Sequence, residues 1–309
     1  IKRNNQMKSR IIGFAGKKQS GKTTSANFLH GYQLRANGII NNFAISTDGK
    51  LIVDTDIIMA DGEQQTGQAV LDVNRTDAEF AEWAAYSMWP YIKKYSFSDP
   101  LKQISIGLFE LRDEQAYGGD AQKNSKTIFR WEEMPGVITD ESLLRKKDIK
   151  FLIDDGKLFY HPPGKMSARE FLQFFGTDIC RSVHDDVWQS RLIKDIEAEQ
   201  PLVAAVDDCR FENEIKAIQN SGGKVINLTR DVYDDKHSSE NALSKHEGFD
   251  ATIDNENLSI HETNIEIINL LNEWGWLSTE VKKQPEKNNE SKDEPQLVGG
   301  IHKFKEDDE

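Results

Sequence analysis

The sequence contains few cysteines and no long apolar run, and both absences narrow the kind of protein that it encodes. Only two cysteines, Cys180 and Cys209, occur in 309 residues, too few for a disulfide framework and compatible with a reducing compartment. No stretch of about 18 apolar residues is present to span a membrane, and we expect no signal peptide before the first predicted strand. We therefore expect a cytoplasmic protein with no membrane partner.

Positive charge is also in deficit. Lys and Arg total 39 against 52 Asp and Glu, which gives a formal net charge of -13 and a pI near 5.1. A surface of this sign repels the phosphate backbone of DNA, so we expect no nucleic-acid partner. A small nucleotide needs only local positive charge, and the acidity does not exclude it as a ligand.

One glycine-rich stretch near the N-terminus has the pattern of a phosphate-binding loop. Residues Gly16–Thr23, GKKQSGKT, fit G-x-x-x-x-G-K-[ST] without a gap. Glycines let successive backbone N–H groups face a triphosphate, Lys22 would neutralise the transferred phosphate and Thr23 would bind Mg²⁺. An apolar strand before the loop and a helix after it supply the context that the motif needs. The residues predicted to contact ATP are Gly16, Lys17, Ser20, Gly21, Lys22, Thr23 and Thr24.

Apolar segments alternate with amphipathic segments along most of the chain. The predicted strands are 10–16, 93–99, 201–208, 223–230 and 250–256. The predicted helices are 21–36, 76–93, 99–112, 167–181, 185–199, 211–221 and 259–273. This alternation is typical of an α/β fold of the P-loop NTPase type, with a parallel sheet flanked by helices. Ligands of such sheets bind at the carboxyl ends of the strands.

Three segments depart from that plan. Residues 43–56 are predicted to form a β-hairpin turning at Asp48-Gly49, and 149–165 a second hairpin turning at Asp155-Gly156. Each is an insertion that either covers the substrate cleft or decorates the surface, and we interpret the first as decoration because it has no convergent polar set. Residues 278–309 carry many charges of both signs and predict a disordered tail. One P-loop domain is thus expected over 8–277.

A helical stretch near the middle of the chain carries groups suited to a second, acceptor nucleotide. Ser167 and Glu170 form a capping box that predicts a helix start, and Arg169 lies within that first turn. The run Gly176–Asp178 is predicted to interrupt this helix and let a ligand approach the backbone. Trp188 offers a flat surface to a base, although a tryptophan in a helix is more often part of the core.

The strand 201–208 ends in two carboxylates. Either Asp207 or Asp208 stands where a Walker B-type carboxylate would reach the Mg²⁺ shell. Arg210 and Glu214 follow at i and i+4 spacing, which suits either a pair on a helix surface or a cleft beyond the strand end. We interpret Asp208, Arg210 and Glu214 as site residues.

Taken together, these stretches resemble the deoxynucleoside monophosphate kinases of tailed bacteriophages, which are P-loop kinases. The resemblance covers about residues 8–275, and its specific part combines the R-x-x-x-Q-x-x-G-T-D helix with D-x-R-F-x-x-E at a strand end. The matching segments are GKKQSGKTT, FSDPLK, REFLQFFGTDICR followed by Trp188, and VDDCRFENEIKAIQNSGGKVINLTR.

The resemblance implies phosphoryl transfer from ATP to a deoxynucleoside monophosphate. Mg²⁺ would bind Thr23, with Asp208 reaching it through water, and Arg181 and Arg230 are further candidate sources of positive charge. The catalytic residues implied are Lys22, Arg169 and Arg210. The acceptor contacts implied are Arg169, Gly176, Thr177, Trp188, Asp208, Arg210 and Glu214. Small nucleotides are the expected partners, a homodimer is compatible with the family, and a phage-encoded enzyme would work in the host cytoplasm.

Two alternatives stay open on the residues alone. A P-loop ATPase or nucleotide-sensing binding module would bind ATP without forming an acceptor-dependent product. A kinase of another small acceptor, such as a sugar acid, would share the phosphate loop but use the remaining groups differently.

Overall fold

The computed structural model describes residues 8–58, 64–75, 77–231, 243 and 246–276, and these fall into two compact units. The first unit comprises the described residues up to Tyr95 and from Ile196 onward, and the second comprises Ser96–Asp195. The predicted tail, 278–309, lies outside the described residues. Among the helices of the described ranges, none combines the length and the hydropathy needed to cross a membrane.

The secondary structure is mixed in both units. In chain order the strands are β1 Arg10–Ala15, β2 Phe43–Ile45, β3 Leu51–Ile58, β4 Gln64–Val70, β5 Ile92–Tyr95, β6 Lys126–Arg130, β7 Val137–Ile138, β8 Phe159–Tyr160, β9 Lys165–Ser167, β10 Val203–Cys209, β11 Lys224–Leu228 and β12 Ala251–Ile253. The helices are α1 Lys22–Ala36, α2 Ala78–Ser87, α3 Asp99–Phe109, α4 Asp113–Tyr117, α5 Asp120–Lys123, α6 Lys147–Asp154, α7 Ala168–Gln173, α8 Arg181–Val183, α9 Val187–Glu199, α10 Glu212–Asn220 and α11 Ile260–Glu273. A π-helical stretch, Phe174–Cys180, joins α7 to α8. Short 3₁₀ helices occupy Trp131–Glu133 and Glu141–Arg145.

A five-stranded parallel sheet forms the centre of the first unit. Its strand order is β12-β11-β1-β10-β5, and Ile12 of β1 pairs with Ala205 on one side and Lys224 on the other. All five segments predicted as strands from their apolar character belong to this sheet. The predicted α/β class with a parallel sheet flanked by helices is confirmed.

Both faces of this sheet are covered. Ile12 and Phe14 pack on one face with apolar residues of α1, α2 and α11. The opposite face meets α10, where a Cβ at Gly13 would lie 2.8 Å from Cδ1 of Ile218, so the glycine permits the close approach of that helix. Burial on both faces explains why the strands are nearly continuous apolar runs.

The first predicted hairpin is confirmed, with an additional strand. β2 and β3 pair antiparallel around the turn at Asp48-Gly49, and β4 completes a three-stranded sheet. β4 was not predicted, because its polar, glutamine-rich sequence has no apolar face. Leu51 and Val53 of β3 are buried in the same core as α1. The interpretation of this segment as surface decoration is therefore wrong.

The second predicted hairpin, at 149–165, is wrong. Its first half lies in α6, whose half-buried Ile149, Leu152 and Ile153 share one face at i, i+3 and i+4 spacing. Gly156, with φ +71, follows the end of that helix, so the Asp-Gly signal marks a helix end rather than a hairpin turn. In the second half, β8 pairs parallel with β7 and β9 pairs antiparallel with β6.

An aromatic core fills the second unit. Phe129 and Phe171 stack with ring centroids 4.3 Å apart, and Trp131 and Phe174 are both buried beside them. The start of α7 is therefore packed into the core, which fixes the helix that carries Arg169. Boundaries elsewhere shift by a few residues: the helix predicted over 76–93 ends at Ser87, and that over 99–112 ends at Phe109.

Candidate phosphate and nucleotide site

The phosphate loop, Gly16–Thr23, connects β1 to α1 at the carboxyl end of the parallel sheet. Gly16 has φ +135 and Gly21 has φ +103, conformations that residues with a side chain rarely adopt. A Cβ at Gly16 would collide with the carbonyl oxygen of Leu228 at the end of β11. Gly21 is the N-cap of α1, where the helix dipole and free N–H groups favour an anion.

Lys22 and Ser20 bring buried polar atoms into this loop. Lys22 is 8 % exposed, and its Nζ donates to the carbonyl oxygens of Gly16 at 2.7 Å and Lys17 at 2.5 Å. Ser20 is fully buried, and within the described part of the chain its Oγ has no hydrogen-bond partner. A buried ammonium and a hydroxyl that has no partner among the described residues are donors of the kind that a polyphosphate requires.

The carboxylate beside the loop is Asp207. Thr23 Oγ1 donates to Oδ2 of Asp207 at 2.9 Å, and Lys94 Nζ approaches the same oxygen at 2.9 Å. Lys94 also donates to Oδ1 of Asn74 at 2.6 Å. The carboxylate that contacts the predicted metal ligand is thus Asp207, whereas the sequence pattern favours Asp208. The position of Asp208 in the metal's water shell stays a prediction.

The alternation of side chains between the two faces of β10 predicts which way Asp207 points. Val203 and Ala205 belong to the core that α1 covers, and a further step of two residues places Asp207 beside the first turn of α1. The pairing register with β1 shifts at this end, because Gly13 pairs with Val206 but Ala15 pairs with Cys209. Alternation therefore gives no direction for the residue that follows Asp207.

Asn255, just after β12, forms a hydrogen bond to the backbone of the phosphate loop. It is 1 % exposed, its Nδ2 donates to the carbonyl oxygen of Ser20 at 2.8 Å, and its Oδ1 accepts from the backbone N–H of Arg230 at 2.9 Å. The Arg230 guanidinium donates to the carbonyl oxygens of Asn255 and Leu258. No local pattern in the sequence marks Asn255, because its contact with Ser20 joins residues 235 positions apart.

Glu214 accepts hydrogen bonds from backbone N–H groups at the start of α10. It is 2 % exposed, and its Oε2 accepts from the backbone N–H groups of Arg210, at 2.8 Å, and of the next residue, at 3.1 Å. Arg210 and Asp208 are half-buried at the same strand end. Burial and the neighbouring carboxylates raise the pKa of the Cys209 thiol well above its usual range, so this thiol stays protonated. Glu214 therefore caps the start of α10, and its predicted contact with the acceptor nucleotide stays a prediction.

Arg169 lies on α7 in the second unit. The predicted capping box is confirmed: Ser167 Oγ accepts from the Glu170 N–H at 3.2 Å, and Glu170 Oε2 accepts from the Ser167 N–H at 2.6 Å. Arg169 donates from a terminal nitrogen to Asp120 Oδ1 at 2.6 Å. Its Nε is buried with no hydrogen-bond partner among the described residues. The Arg169 side chain as a whole is 32 % exposed and is paired with Asp120, and its contact with the acceptor phosphate stays a prediction.

The predicted helix break at Gly176–Asp178 is a π-helical stretch instead. Gly176 is buried where a Cβ would lie 2.5 Å from Cδ2 of Leu101, and its carbonyl oxygen accepts from Trp188 Nε1 at 3.1 Å. Trp188 is only 5 % exposed, so little of its ring is open to a base, whereas Thr177 is exposed. π-Helical turns are frequent at functional sites because they displace the backbone from regular helix geometry.

The predicted residues are divided between the two units. The first unit holds the phosphate loop, Thr24, Asp208, Arg210 and Glu214, and the second holds Arg169, Gly176, Thr177 and Trp188. Within the first unit, the structure joins Thr23 to Asp207 and the loop to Asn255.

The chain is similar to known nucleotide kinases. A profile described as deoxynucleotide monophosphate kinase matches residues 120–265. A protein of Acanthamoeba polyphaga mimivirus, provisionally named a deoxynucleotide monophosphate kinase, is 31 % identical over 192 residues, which make up 58 % of this chain and 81 % of that protein. The chain belongs to the deoxynucleotide monophosphate kinase family. It is a nucleotide kinase: the deoxynucleotide monophosphate kinase family inferred from its motifs is confirmed, and the association with bacteriophages stays a prediction.

The family match covers the more specific motifs. Residues 120–265 include Arg169, Gly176, Trp188 and the strand end with Arg210, but they exclude the phosphate loop. The family match therefore rests on residues other than those of the predicted phosphate loop.

Proposed function

We propose that this nucleotide kinase transfers the γ-phosphoryl group of ATP to a deoxynucleoside 5′-monophosphate, giving ADP and the deoxynucleoside diphosphate. The observation that carries the proposal is the predicted phosphate loop, where buried Lys22, the Thr23–Asp207 pair and the Ser20 hydroxyl, which has no partner among the described residues, lie together. These groups suit a triphosphate and its metal ion, and the family supplies the class of acceptor.

Mg²⁺ fits the residues beside the loop. Thr23 Oγ1 and Asp207 Oδ2 are hard oxygen donors 2.9 Å apart, the type of ligand that Mg²⁺ prefers. Among the described residues, no group of three or more His, Cys, Asp or Glu side chains forms a metal cage. Mg²⁺ in kinases is held largely by phosphate oxygens and water, so one or two protein oxygens suffice. When bound, the ion would neutralise charge on the β- and γ-phosphates.

The protein would contribute to the reaction by neutralising the phosphates and by positioning the two nucleotides. Lys22 would lie against the transferred phosphate, and Arg169 and Arg210 would bind the acceptor phosphate. The acceptor phosphate is already an anionic nucleophile, so the reaction requires no general base. The remaining donor contacts proposed are Gly16, Lys17, Ser20, Gly21 and Thr24. The remaining acceptor contacts proposed are Gly176, Thr177, Trp188, Asp208 and Glu214, with Asp208 also reaching Mg²⁺ through water.

The proposed setting is nucleotide metabolism in the cytoplasm of an infected host. Its support is the resemblance of the motifs to phage enzymes and the viral source of the mimivirus relative. Small nucleotides are the proposed partners, and a homodimer stays a prediction.

The test is ADP formation from ATP and Mg²⁺ against a panel of deoxy- and ribonucleoside monophosphates, with a control that lacks any acceptor. We expect ADP formation to depend on a deoxynucleotide acceptor, and the panel to define which bases are used. ATP hydrolysis at the same rate with every acceptor and with none would instead support an ATPase. ATP binding without turnover on any nucleotide would support a different acceptor.

A further inference from the structure

We propose that the β2–β3 turn, Ser46–Lys50, positions Thr24 in the donor site, with Gly49 as the positioning residue. The proposal rests on the proposed function, because it adds this turn to the same phosphate site. It gives the inserted hairpin a role in ATP binding, where the sequence pattern favoured surface decoration.

The turn lies directly on the first turn of α1. Gly49 has φ +82, and a Cβ built on it would collide with Thr24 Oγ1 and lie 3.3 Å from Thr24 Cβ. One helical turn later, Asn27 Nδ2 donates to the carbonyl oxygen of Gly49 at 2.8 Å. Gly49 is therefore held against the helix on the side where the phosphate loop enters it.

The turn is rigid enough to act on its neighbour. The Gly49 N–H donates to the carbonyl oxygen of Ser46 at 2.9 Å, and the Ser46 N–H donates to that of Lys50 at 3.0 Å. Ser46 Oγ accepts from the Lys50 N–H at 2.9 Å and donates to the Asp48 carboxylate. The next residue, Leu51, is 1 % exposed and anchors β3 in the core. A turn fixed at its base and crossed by these bonds has little freedom to move away from Thr24.

Thr24 is the member of the donor site that this contact would affect. It belongs to the first turn of α1, whose backbone N–H groups have no partners within the helix and serve an anion. A β-branched side chain has few χ1 rotamers, so a surface packed on its hydroxyl selects among them. Only a glycine leaves room for that hydroxyl, and a larger residue at position 49 would displace either Thr24 or the turn.

The experiment compares Gly49→Ala with Gly38→Ala in the full chain. Gly38 has φ +71 and nothing within 4 Å of its would-be Cβ, so this control reproduces the backbone strain without the contact. The dissociation constant for ATP with Mg²⁺ is measured by equilibrium titration, and KM is measured for donor and acceptor. We expect Gly49→Ala to weaken ATP binding about tenfold and to raise the donor KM, with the acceptor KM unchanged. Gly38→Ala should leave all three within about twofold of wild type.

A second pair of variants assigns the effect to Thr24. In a Thr24→Ala background, which removes the atoms that the new Cβ would strike, Gly49→Ala should change the ATP dissociation constant by less than about twofold. If Gly49→Ala fails to fold, Asn27→Ala removes only the side-chain bond to Gly49 and should also weaken ATP binding without changing the acceptor KM.

Two results overturn the proposal. One is an ATP dissociation constant of Gly49→Ala that equals that of the Gly38→Ala control. Where Gly49→Ala does not fold, the same comparison is made with Asn27→Ala. The other is a Gly49→Ala loss that persists in full in the Thr24→Ala background. A wild-type chain that neither binds ATP nor forms ADP overturns the proposed function instead, so the two failures are distinguishable.

Discussion

Asp207 joins the phosphate loop to the interior of the first unit. The same carboxylate oxygen meets the Thr23 hydroxyl and the Lys94 ammonium, and 7 % of the residue is exposed. Its negative charge therefore affects two neighbours, since it lies beside the proposed metal ligand and pairs with a half-buried lysine. Replacing Asp207 with a neutral residue of the same shape tests the effect of the charge without changing the packing.

Asp207→Asn is expected to raise the Mg²⁺ concentration for half-maximal activity about tenfold and to lower kcat about a hundredfold, because the hard anionic oxygen beside Thr23 is lost. It should also lower the free energy of unfolding by about 2 kcal/mol, since Lys94 loses its ion pair. The measurements are a Mg²⁺ titration of activity and urea unfolding. The matched variant Asp208→Asn should chiefly raise the acceptor KM, and a larger Mg²⁺ effect in Asp208→Asn than in Asp207→Asn would contradict this assignment.

At the scale of the element, prediction succeeded where the sequence carries a local pattern. Each strand of the parallel sheet is an apolar run because both faces are buried, although its pairing joins distant residues such as Ile12 and Ala205. The Ser167–Glu170 box was predicted because its partners lie three residues apart. The Asp155-Gly156 signal was misleading, because the same dipeptide ends a helix as readily as it turns a hairpin. β4 was missed because its polar sequence is held by pairing with β3. The Asn255 contact was missed because it joins distant parts of the chain.

Helix α7 offers a direct test of how an element supports the site. Ser167→Ala removes the Oγ that accepts from the Glu170 N–H and should cost about 1 kcal/mol of unfolding free energy. Because Arg169 lies in the same turn, we expect the acceptor KM to rise while the donor KM is unchanged. Urea unfolding and steady-state kinetics are the measurements. Ser182→Ala, which removes an exposed hydroxyl bound to the Ile179 carbonyl oxygen, is the control, and equal effects from the two variants would refute the argument.

At the scale of the whole molecule, stability includes a contribution that depends on pH through a buried histidine. His30 is fully buried in α1, its Nδ1 lies 2.8 Å from the Ala26 carbonyl oxygen, and burial lowers its pKa to about 4. An unfolded histidine titrates near its ordinary value of 6.5, so the unfolded chain binds the proton more strongly. The stabilising effect of the neutral ring is complete above about pH 6.5 and is lost as the pH falls towards about 4.

His30→Gln is expected to reduce this pH dependence. Between pH 7 and pH 4.5 the free energy of unfolding should fall by about 2–3 kcal/mol less in the variant than in wild type, because the titrating ring is gone. Urea unfolding at a series of pH values measures the difference. A curve for His30→Gln that runs parallel to that of wild type over this pH range would contradict the role of the buried ring.

At this scale, we expect one chain to bind both the phosphate donor and the deoxynucleotide acceptor and to transfer the phosphoryl group between them. The most direct measurement follows the label of γ-³²P-ATP in a reaction with Mg²⁺ and a deoxynucleoside monophosphate. We expect label in the deoxynucleoside diphosphate, with the rate reduced about a thousandfold in Lys22→Ala and unchanged in Lys216→Ala, an exposed lysine on α10. Label released as inorganic phosphate whether or not an acceptor is present would contradict the claim.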